Sequence, residues 1–540
     1  MNPNESVEIE VTPRIGSAPP SALIIGGGIP AMVAAEALAA MGVDITFARF
    51  RKTPDHVYFT QQDPSTDDKL EELALRLGDV KTVDVYRAPV ISRDRSGFKA
   101  RFEDGTTRSY DCLLLAPGLS LSLPHSSLPQ NAELFSSHTK VFPGERVAFL
   151  MDYLRPSDPA LGMNAIKAAA HNVINGGSSV VFFRNLPVLH LFGEALCDWA
   201  REVGVQFVRF GDEEPLASSL GEHESPVRFR LTARDMIDPD SEISFDCTRL
   251  VSVTGPDASQ IPEWALEIAR DDLDDRGFVL SESVHCNSGS SFATGVYLVG
   301  EATGNLDLIG GIAQAKAAAA KAQAWIRTSR FKMERQSISV NSACVGCLTC
   351  YRICPHGAIS VKPGTSRPPV EAWPSLCREC GICASTCPSV AIHLMSHSDD
   401  SLLASIREVP QADMERTTFL FVCRRSAGLL EQKVEIPENV RFAVVPCAGR
   451  VSEYVIWYAF AAGARGVLVA GCHSGNCASS TGANLAGSRV RRGLATGLLQ
   501  EEPERLRFVS VAPNEPARLQ RLLTEFAGFD PMKVLEKSNR

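Results

Sequence analysis

Residues 344–355 read CVGCLTCYRICP, and residues 377–388 read CRECGICASTCP. Both spell C-x2-C-x2-C-x3-C-P, the spacing with which bacterial ferredoxins hold 4Fe–4S clusters. Three thiolates on one short loop clamp one cube, and the fourth, carried onward by the chain, serves the other. The first cluster is therefore expected on Cys344, Cys347, Cys350 and Cys387, and the second on Cys377, Cys380, Cys383 and Cys354. Structural zinc sites or disulfides are the competing use of these cysteines, and two full copies of the run weigh against both. The pattern points to electrons moved one at a time.

The chain around these loops is 540 residues long, too long for one core, so three or four domains are expected. A hydrophobic content of 44% with 22% charged residues is ordinary for a globular protein. The net charge of −9 argues against nucleic acid as the main partner. Sixteen cysteines would suit an oxidised, secreted protein, but half of them lie in runs that need reduced thiolates. The expected compartment is the cytoplasm. Residues 1–20 are polar, acidic and proline-rich, without the apolar core of a signal peptide, and are read as a flexible N-terminus. No run of about 18 uncharged apolar residues appears. The best candidate, 313–326, is interrupted by Lys316 and Lys321. Direct membrane insertion is not expected, and any membrane association would come through partners.

Toward the N-terminus, the apolar segment 21–25 is followed at once by Gly26-Gly27-Gly28-Ile29-Pro30-Ala31 and an alanine-rich helix to about residue 40. Strand, glycine turn and helix form the G-x-G-x-x-G/A dinucleotide fingerprint, with Gly26, Gly28 and Ala31 at its three positions. Glycines admit a pyrophosphate to the backbone, and the helix start supplies free N–H groups. The acidic residue that should close the second strand and hold the adenosine ribose is missing: 43–48 is followed by Arg49, Phe50 and Arg51. Two later segments look like flavin motifs of disulfide-reductase-type flavoproteins. Residues 111–118 end in Ala116-Pro117-Gly118, where those proteins write A-T-G, and 293–301 end in Gly300-Glu301, whose carboxylate would meet the ribityl chain of FAD. Gly310-Gly311-Ile312 then opens a helix whose dipole could stabilise a reduced flavin. No glycine-rich turn follows the strand 180–183, so a pyridine-nucleotide site is not expected there.

After the ferredoxin loops, a polar stretch at 397–415 leads to apolar strands at 419–422, 442–445 and 467–470 with helices between. Cys423, Cys447 and Cys472 stand at or near their ends, and Cys477 follows in Gly-Cys-His-Ser-Gly-Asn-Cys. Four thiols at the C-terminal ends of consecutive strands can converge, which suits a 2Fe–2S cluster. Zinc, or unligated cysteines, are the alternatives. His473 is read as a loop residue. Residues 441–500 hold six arginines and one acid, Glu453, which is either a docking face for an acidic redox partner or a solvated surface.

With these parts in order, the chain resembles the A-type subunit of heterodisulfide reductase. Its tail, through Val-Pro-Cys-Ala-Gly-Arg at 445–450 and the Cys472–Cys477 segment, resembles the delta subunit of F420-non-reducing hydrogenase. The fusion is similar to the B-type subunit of the quinone-interacting membrane-bound oxidoreductase complex. Two positions depart from the pattern: residues 151–170 contain no cysteine, and Ser426 stands where the delta-like domain usually completes a C-x2-C pair. The resemblance implies an electron-transfer subunit working with a second flavoprotein and a quinone-reactive membrane protein, or with a soluble heterodisulfide reductase-type complex. A scaffold that has lost its flavin is the rival from another class. The expected architecture is α/β. It comprises a Rossmann-like FAD-binding region of the two-dinucleotide-binding type at 21–330, with a second α/β subdomain inserted at about 145–255. A two-cluster ferredoxin domain at 335–396 and a small α/β iron–sulfur domain at 415–532 complete it. No acid, base or nucleophile is assigned.

Overall fold

After Ser21, the first strand, β1 (Ser21–Gly26), is apolar and buried because both faces of its sheet are covered. Residues 19–50, 76, 80–94, 97–119, 128–129, 131–135, 144–188, 192–220, 228–238, 240–255, 257–269, 273–274, 276–282, 289–304, 308–332, 337–362, 364, 368–496, 499 and 502–528 are described in the computed structural model. After β1 come α1 (Gly28–Ala40), β2 (Asp44–Phe50), β3 (Lys81–Val85), β4 (Val90–Asp94), β5 (Gly97–Arg101), β6 (Thr107–Tyr110) and β7 (Cys112–Ala116). The parallel sheet runs β3, β2, β1, β7 and then β16 (Val296–Leu298), which returns some 180 residues later. The antiparallel β4–β5–β6 unit lies beside it. Small side chains decide the helix layer. Ala31, Ala34 and Ala35 of α1 are buried with Ala315, Ala318, Ala319 and Ala322 of a later alanine-rich helix, so the two helices pack closely.

Between β7 and β16 a second lobe is inserted. Its elements are β8 (Glu133–Leu134), β9 (Arg146–Met151), α2 (Pro159–Ile174), β10 (Ser178–Phe183), α3 (Gly193–Glu202), β11 (Gln206–Arg209), β12 (Leu216–Ser219), β13 (Phe229–Arg234), β14 (Glu242–Cys247), β15 (Arg249–Val253) and α4 (Glu263–Ala269). The parallel sheet order is β11-β10-β9-β15-β8, with β12–β14 as an antiparallel unit. This order corrects one sequence expectation. The strand whose following turn would receive a second dinucleotide is the central β9, not the 180–183 strand, which is its neighbour β10. The turn after β9 contains no glycine. Asp152 closes it by accepting N–H bonds from Ser157 at 2.8 Å and Asn185 at 2.8 Å. Asp158 caps α2 by accepting the Leu161 N–H at 2.8 Å. A carboxylate thus sits at the helix start where a pyrophosphate would have to bind.

α5 (Leu308–Lys332) returns the chain to α1 and leads into the ferredoxin-like part: β17 (Ile338–Val340), α6 (Thr349–Ile353), β18 (Ile359–Val361), β19 (Val370–Ala372), α7 (Ile382–Thr386) and β20 (Ile392–Leu394). Two antiparallel pairs, β17–β20 and β18–β19, bring the two cysteine loops side by side. Polar bonds fix this unit to the flavoprotein-like part. Arg93 donates to His356 O at 3.1 Å and Gly357 O at 3.3 Å, and the Thr294 N–H donates to His356 O at 3.2 Å. The buried His356 ring donates from Nδ1 to Phe292 O at 3.0 Å, and burial pushes its pKa down to about 3, so it is neutral.

The segment 397–415, expected as a polar connector, contains α8 (Asp399–Arg407) and α9 (Gln411–Met414). Leu402, Leu403 and Ile406 sit in the core of the last unit. Their i, i+1, i+4 spacing was masked by flanking acids and serines. That unit comprises β21 (Thr418–Cys423), β22 (Val440–Val445), α10 (Glu453–Ala461), β23 (Gly466–Gly471), α11 (Gly482–Ala495), β24 (Leu506–Ser510) and α12 (Pro516–Gly528). Its parallel sheet has the order β22-β21-β23-β24, so β21 and β23 are central neighbours and present their C-terminal ends together.

Candidate functional site

The two cysteine loops share one backbone shape. Left-handed residues fall at matching places, Gly346 and Leu348 in the first and Glu379 and Gly381 in the second. Each turn carries its first two cysteines, and its third lies within the short helix that follows, Cys350 in α6 and Cys383 in α7. In the first, Cys344, Cys347, Cys350 and Cys387 line one recess with Val340, Leu348 and Val370. Burial, then the neighbouring sulfurs of Cys387, Cys344 and Cys347, push the Cys350 thiol up to about 11. The exposed Cys347 is held below its ordinary value by bonds from the Thr349 hydroxyl and N–H. In the second set, burial drives Cys377 up to about 12, with Cys380 and Cys354 as neighbouring thiols that add to it. Cys383 is also raised well above its ordinary value by burial, with Cys380, Cys354 and Cys377 around it. Cys387 thus lines the first loop's recess, and Cys354 lies within electrostatic reach of Cys377, Cys380 and Cys383 of the second. The Glu379 N–H donates to Cys377 Sγ and the Ala391 N–H to Cys387 Sγ, each at 3.3 Å.

At the end of the parallel sheet the four later cysteines converge. Cys423, Cys447, Cys472 and Cys477 are all buried. Cys423 and Cys472, at the ends of the central strands, stand with their sulfurs 3.7 Å apart. The Cys447 and Cys472 thiols both donate toward Cys477, which holds its thiolate far below the ordinary range while theirs are raised. Ser426 is not part of this set: its hydroxyl is turned to Gly471 O and Val511 O. His473 pairs with Glu515 at 3.0 Å, and this bond is the main reason the Glu515 carboxyl lies down near 2. Among the described residues, no group of three or more His, Cys, Asp or Glu side chains has the arrangement of a single-ion site. The donors are all thiols, reduced and enclosed, which is the chemistry an iron–sulfur cluster requires of its cradle. Cys112, Cys197 and Cys247 lie apart from these sets, packed in the sheet cores.

The ferredoxin loops and the C-terminal cysteines abut. Cys380 is within electrostatic reach of Cys477 and Cys447, and the Ser479 hydroxyl donates to Cys380. A methyl added to Gly482 would lie 2.4 Å from Cys447 Sγ, 3.2 Å from Ile382 Cδ1 and 3.6 Å from Cys477 Sγ. Nothing in the sequence linked these residues, which are some 100 positions apart. Of the six arginines of 441–500, Arg450 and Arg489 are buried at this junction and so belong to no surface, while the exposed Arg492 is paired with Glu453 at 2.7 Å. Glu282, also missed, accepts from Arg378 of the ferredoxin loop at 2.5 Å and from Arg425 of the last unit at 2.9 Å, joining three parts of the chain.

The flavin-type residues gather at the C-terminal edge of the first sheet. Gly26, at φ +134°, has no room for a side chain because a Cβ would lie 2.0 Å from Ala116 O. At Gly118 a Cβ would meet nothing within 4 Å, and at Gly28 only Pro30. Ala31 is fully buried. Gly300 donates to Gln314 Oε1 at 2.8 Å, and Glu301 accepts the Leu119 N–H at 3.1 Å. Burial raises the Glu301 carboxyl well above its ordinary value, and Asp158 adds to this. Gly311 and Ile312 lie in the first turn of α5, which starts at Leu308, two residues earlier than expected. These groups fit the pyrophosphate and ribityl end of a flavin dinucleotide. At the ribose end, Arg49 of β2 donates twice to Asp84 Oδ1 of β3, at 3.1 and 3.0 Å, so the carboxylate on that edge comes from the neighbouring strand.

Residues 343–411 match the 4Fe-4S dicluster domain, and residues 421–528 match the delta subunit of methyl-viologen-reducing hydrogenase. The chain is 27% identical over 341 residues to the A-type subunit of the ferredoxin:CoB-CoM heterodisulfide reductase of Methanosarcina mazei, covering 60% of this chain and 40% of that protein. It is 39% identical over 93 residues to the D-type iron-sulfur subunit of the F420-non-reducing hydrogenase of Archaeoglobus profundus, covering 17% of this chain and 66% of that one. The chain thus spans about 40% of the length of the heterodisulfide reductase relatives it matches. Among solved structures, Lactococcus lactis thioredoxin reductase overlays on 57% of this chain and 99% of its own at 13% identity, with a TM-score of 0.38. This polypeptide therefore joins a region related to the A-type subunit of heterodisulfide reductase, containing a 4Fe–4S dicluster domain, to a hydrogenase delta-subunit domain.

Proposed function

We propose that the chain is an electron-transfer subunit of a multisubunit oxidoreductase. Its centres would be FAD, two 4Fe–4S clusters and, in the last domain, a 2Fe–2S cluster. When bound, the flavin exchanges electron pairs for single electrons and the clusters carry them singly. The protein's own work is positional. Glycine turns admit the dinucleotide, Glu301 and the start of α5 stand at its ribityl end, and two crossed cysteine sets hold the cubes. The observation that carries the reading is the approach of Cys380 to within electrostatic reach of Cys447 and Cys477, with Gly482 packed between Cys447, Cys477 and Ile382, which brings two cysteine sets from different domains to one junction. A route from ferredoxin loop to C-terminal centre needs such an approach.

The wider setting comes from the resemblance to the quinone-interacting oxidoreductase and heterodisulfide reductase complexes. The electrons would pass to a second flavoprotein and a quinone-reactive membrane protein, or to a soluble reductase of sulfur metabolism. No helix among the described residues is long and apolar enough to cross a membrane, so a quinone-linked role would require a partner. The flavin-free scaffold remains the second reading, motivated by Arg49 at the usual ribose-binding position. Cluster assignments are tested by paired variants of the anaerobically purified chain. Cys387→Ser should remove the first cube and spare the second, and Cys354→Ser the reverse, read by iron content and electron paramagnetic resonance (EPR). Loss of the same signal in both variants would refute the crossed assignment. A stoichiometric flavin spectrum would eliminate the scaffold. Anaerobic co-purification would name the companions, and recovery of the chain alone would remove the support for a relay.

A further inference from the structure

Arg489, on α11, is 3% exposed and spends its guanidinium on neutral groups only. One nitrogen, Nη1, donates to Gly449 O at 2.6 Å and Val451 O at 2.9 Å. The other, Nη2, donates to Ser385 Oγ at 2.9 Å and Thr386 Oγ1 at 2.7 Å. Gly449 lies two residues past Cys447, while Ser385 and Thr386 lie between Cys383 and Cys387. The same fork therefore grips the backbone beside one thiolate cradle and the helix that carries another. A buried cation without a facing negative charge is strongly disfavoured. Its neighbour Arg450, 1% exposed, has such a partner in Asp399 at 2.8 Å. Arg489 makes no hydrogen bond to a carboxylate. Glu453, which acts on it from a distance, is engaged by Arg492. The other acidic group that acts on it is Cys447, whose sulfur would carry negative charge as a cluster ligand.

We propose that Arg489 is the counter-charge of the C-terminal iron–sulfur centre, holding its potential up while clamping the ferredoxin helix α7 against its cradle. This rests on the cluster-bearing reading of that domain. A centre with four thiolates becomes more negative on reduction, so a fixed neighbouring cation favours the reduced state. Arg489 would thereby set the step between the ferredoxin clusters and the last centre without ligating either, as a positioning and potential-setting residue.

The test is an EPR-monitored redox titration of the full chain, purified anaerobically, for the parent, Arg489→Gln and Arg489→Lys. In Arg489→Gln the reduced-to-oxidised ratio of the C-terminal centre at fixed potential should fall about tenfold, a midpoint about 59 mV lower. Arg489→Lys, which restores charge but not the fork, should recover most of that difference, with iron content unchanged. If Arg489→Gln cannot retain the centre, retention by Arg489→Lys supports the counter-charge, and loss from both overturns it. An unmoved midpoint in Arg489→Gln, or a lysine variant as low as the glutamine one, also overturns it. A parent chain with no signal from this centre would instead overturn the cluster reading beneath it.

Discussion

Gly482 offers the sharpest test of whether the C-terminal cysteines hold a rigid centre. In Gly482→Ala the new Cβ would start 2.4 Å from Cys447 Sγ, against an ordinary contact of 3.4 Å or more, so the sulfur must recede by about 1 Å. In the metal-free protein that movement is a small rotation of one side chain. Alanine also gains up to about 1 kcal/mol over glycine within a helix. The apo variant should therefore be about as stable as the parent. In the loaded protein Cys447 cannot rotate away without leaving the cluster, and the overpacking cost of about 1–3 kcal/mol falls on cluster affinity. At 1.4 kcal/mol per factor of ten, that is roughly 5- to 150-fold weaker retention. The assay is a chelator challenge followed by EPR and iron counting. The C-terminal signal should fade first in Gly482→Ala while the ferredoxin signals persist. Gly475→Ala is the control, since its Cβ would meet nothing within 4 Å. Equal retention in Gly482→Ala and the parent would refute the idea that Cys447 is anchored by a cluster.

Three further outcomes follow from individual contacts. Ser426→Cys should add no iron to the C-terminal centre. It should lower stability by about 1 kcal/mol in denaturant titrations, because the hydroxyl bonds to Gly471 O and Val511 O are lost. Burial pushes the Glu282 carboxyl up, but Arg378 and then Arg425 more than offset this, leaving it below its ordinary 4.5. Its contribution is thus present above that value and lost as the pH falls through the lower folded value. Glu282→Gln should cost about 1–3 kcal/mol between pH 5 and 8, with the difference from the parent shrinking only in stronger acid. Denaturant titrations at several pH values would read this, and a difference that vanished by pH 6 would count against it. Glu301 has the opposite sign. Its raised folded pKa means that the parent loses stability as the pH climbs above about 4.5. Flavin-free Glu301→Gln should melt above the parent at pH 8 and level with it near pH 4, and no gain at pH 8 would show that Glu301 is not desolvated.

Local chemistry was legible in the sequence because it is written at short spacing. The single stretch 344–350 carries Cys344, Cys347 and Cys350 on one loop, and Gly26, at the end of β1, stands where a side chain would strike Ala116 O. Apolar runs marked three of the last domain's four strands, with Cys423, Cys447 and Cys472 at or near their ends and Cys477 shortly beyond. β24, whose only fully buried apolar residue is Leu506, gave no comparable run. Helix α8 escaped notice because its three core residues are interleaved with acids and serines. The arginines of 441–500 left two readings open for a related reason: charge along a sequence does not say which charges face inward. The position of a second dinucleotide turn depended on knowing that β9 is the central strand, and strand order is a property of pairing, not of composition.

The sequence alone determined that the chain carries a 4Fe–4S dicluster segment and a delta-subunit-like tail, and where their thiols lie, because those patterns are written within a loop or at a strand end. Only the tertiary structure decided how the centres meet. Cys380 beside Cys447, Ser479 reaching a ferredoxin cysteine, Glu282 tying three parts, and Arg489 bridging two thiolate cradles are all contacts between distant segments. They arise from the packing of separately patterned domains, and neither hydrophobic periodicity nor motif spacing encodes which face of one domain comes to rest against another.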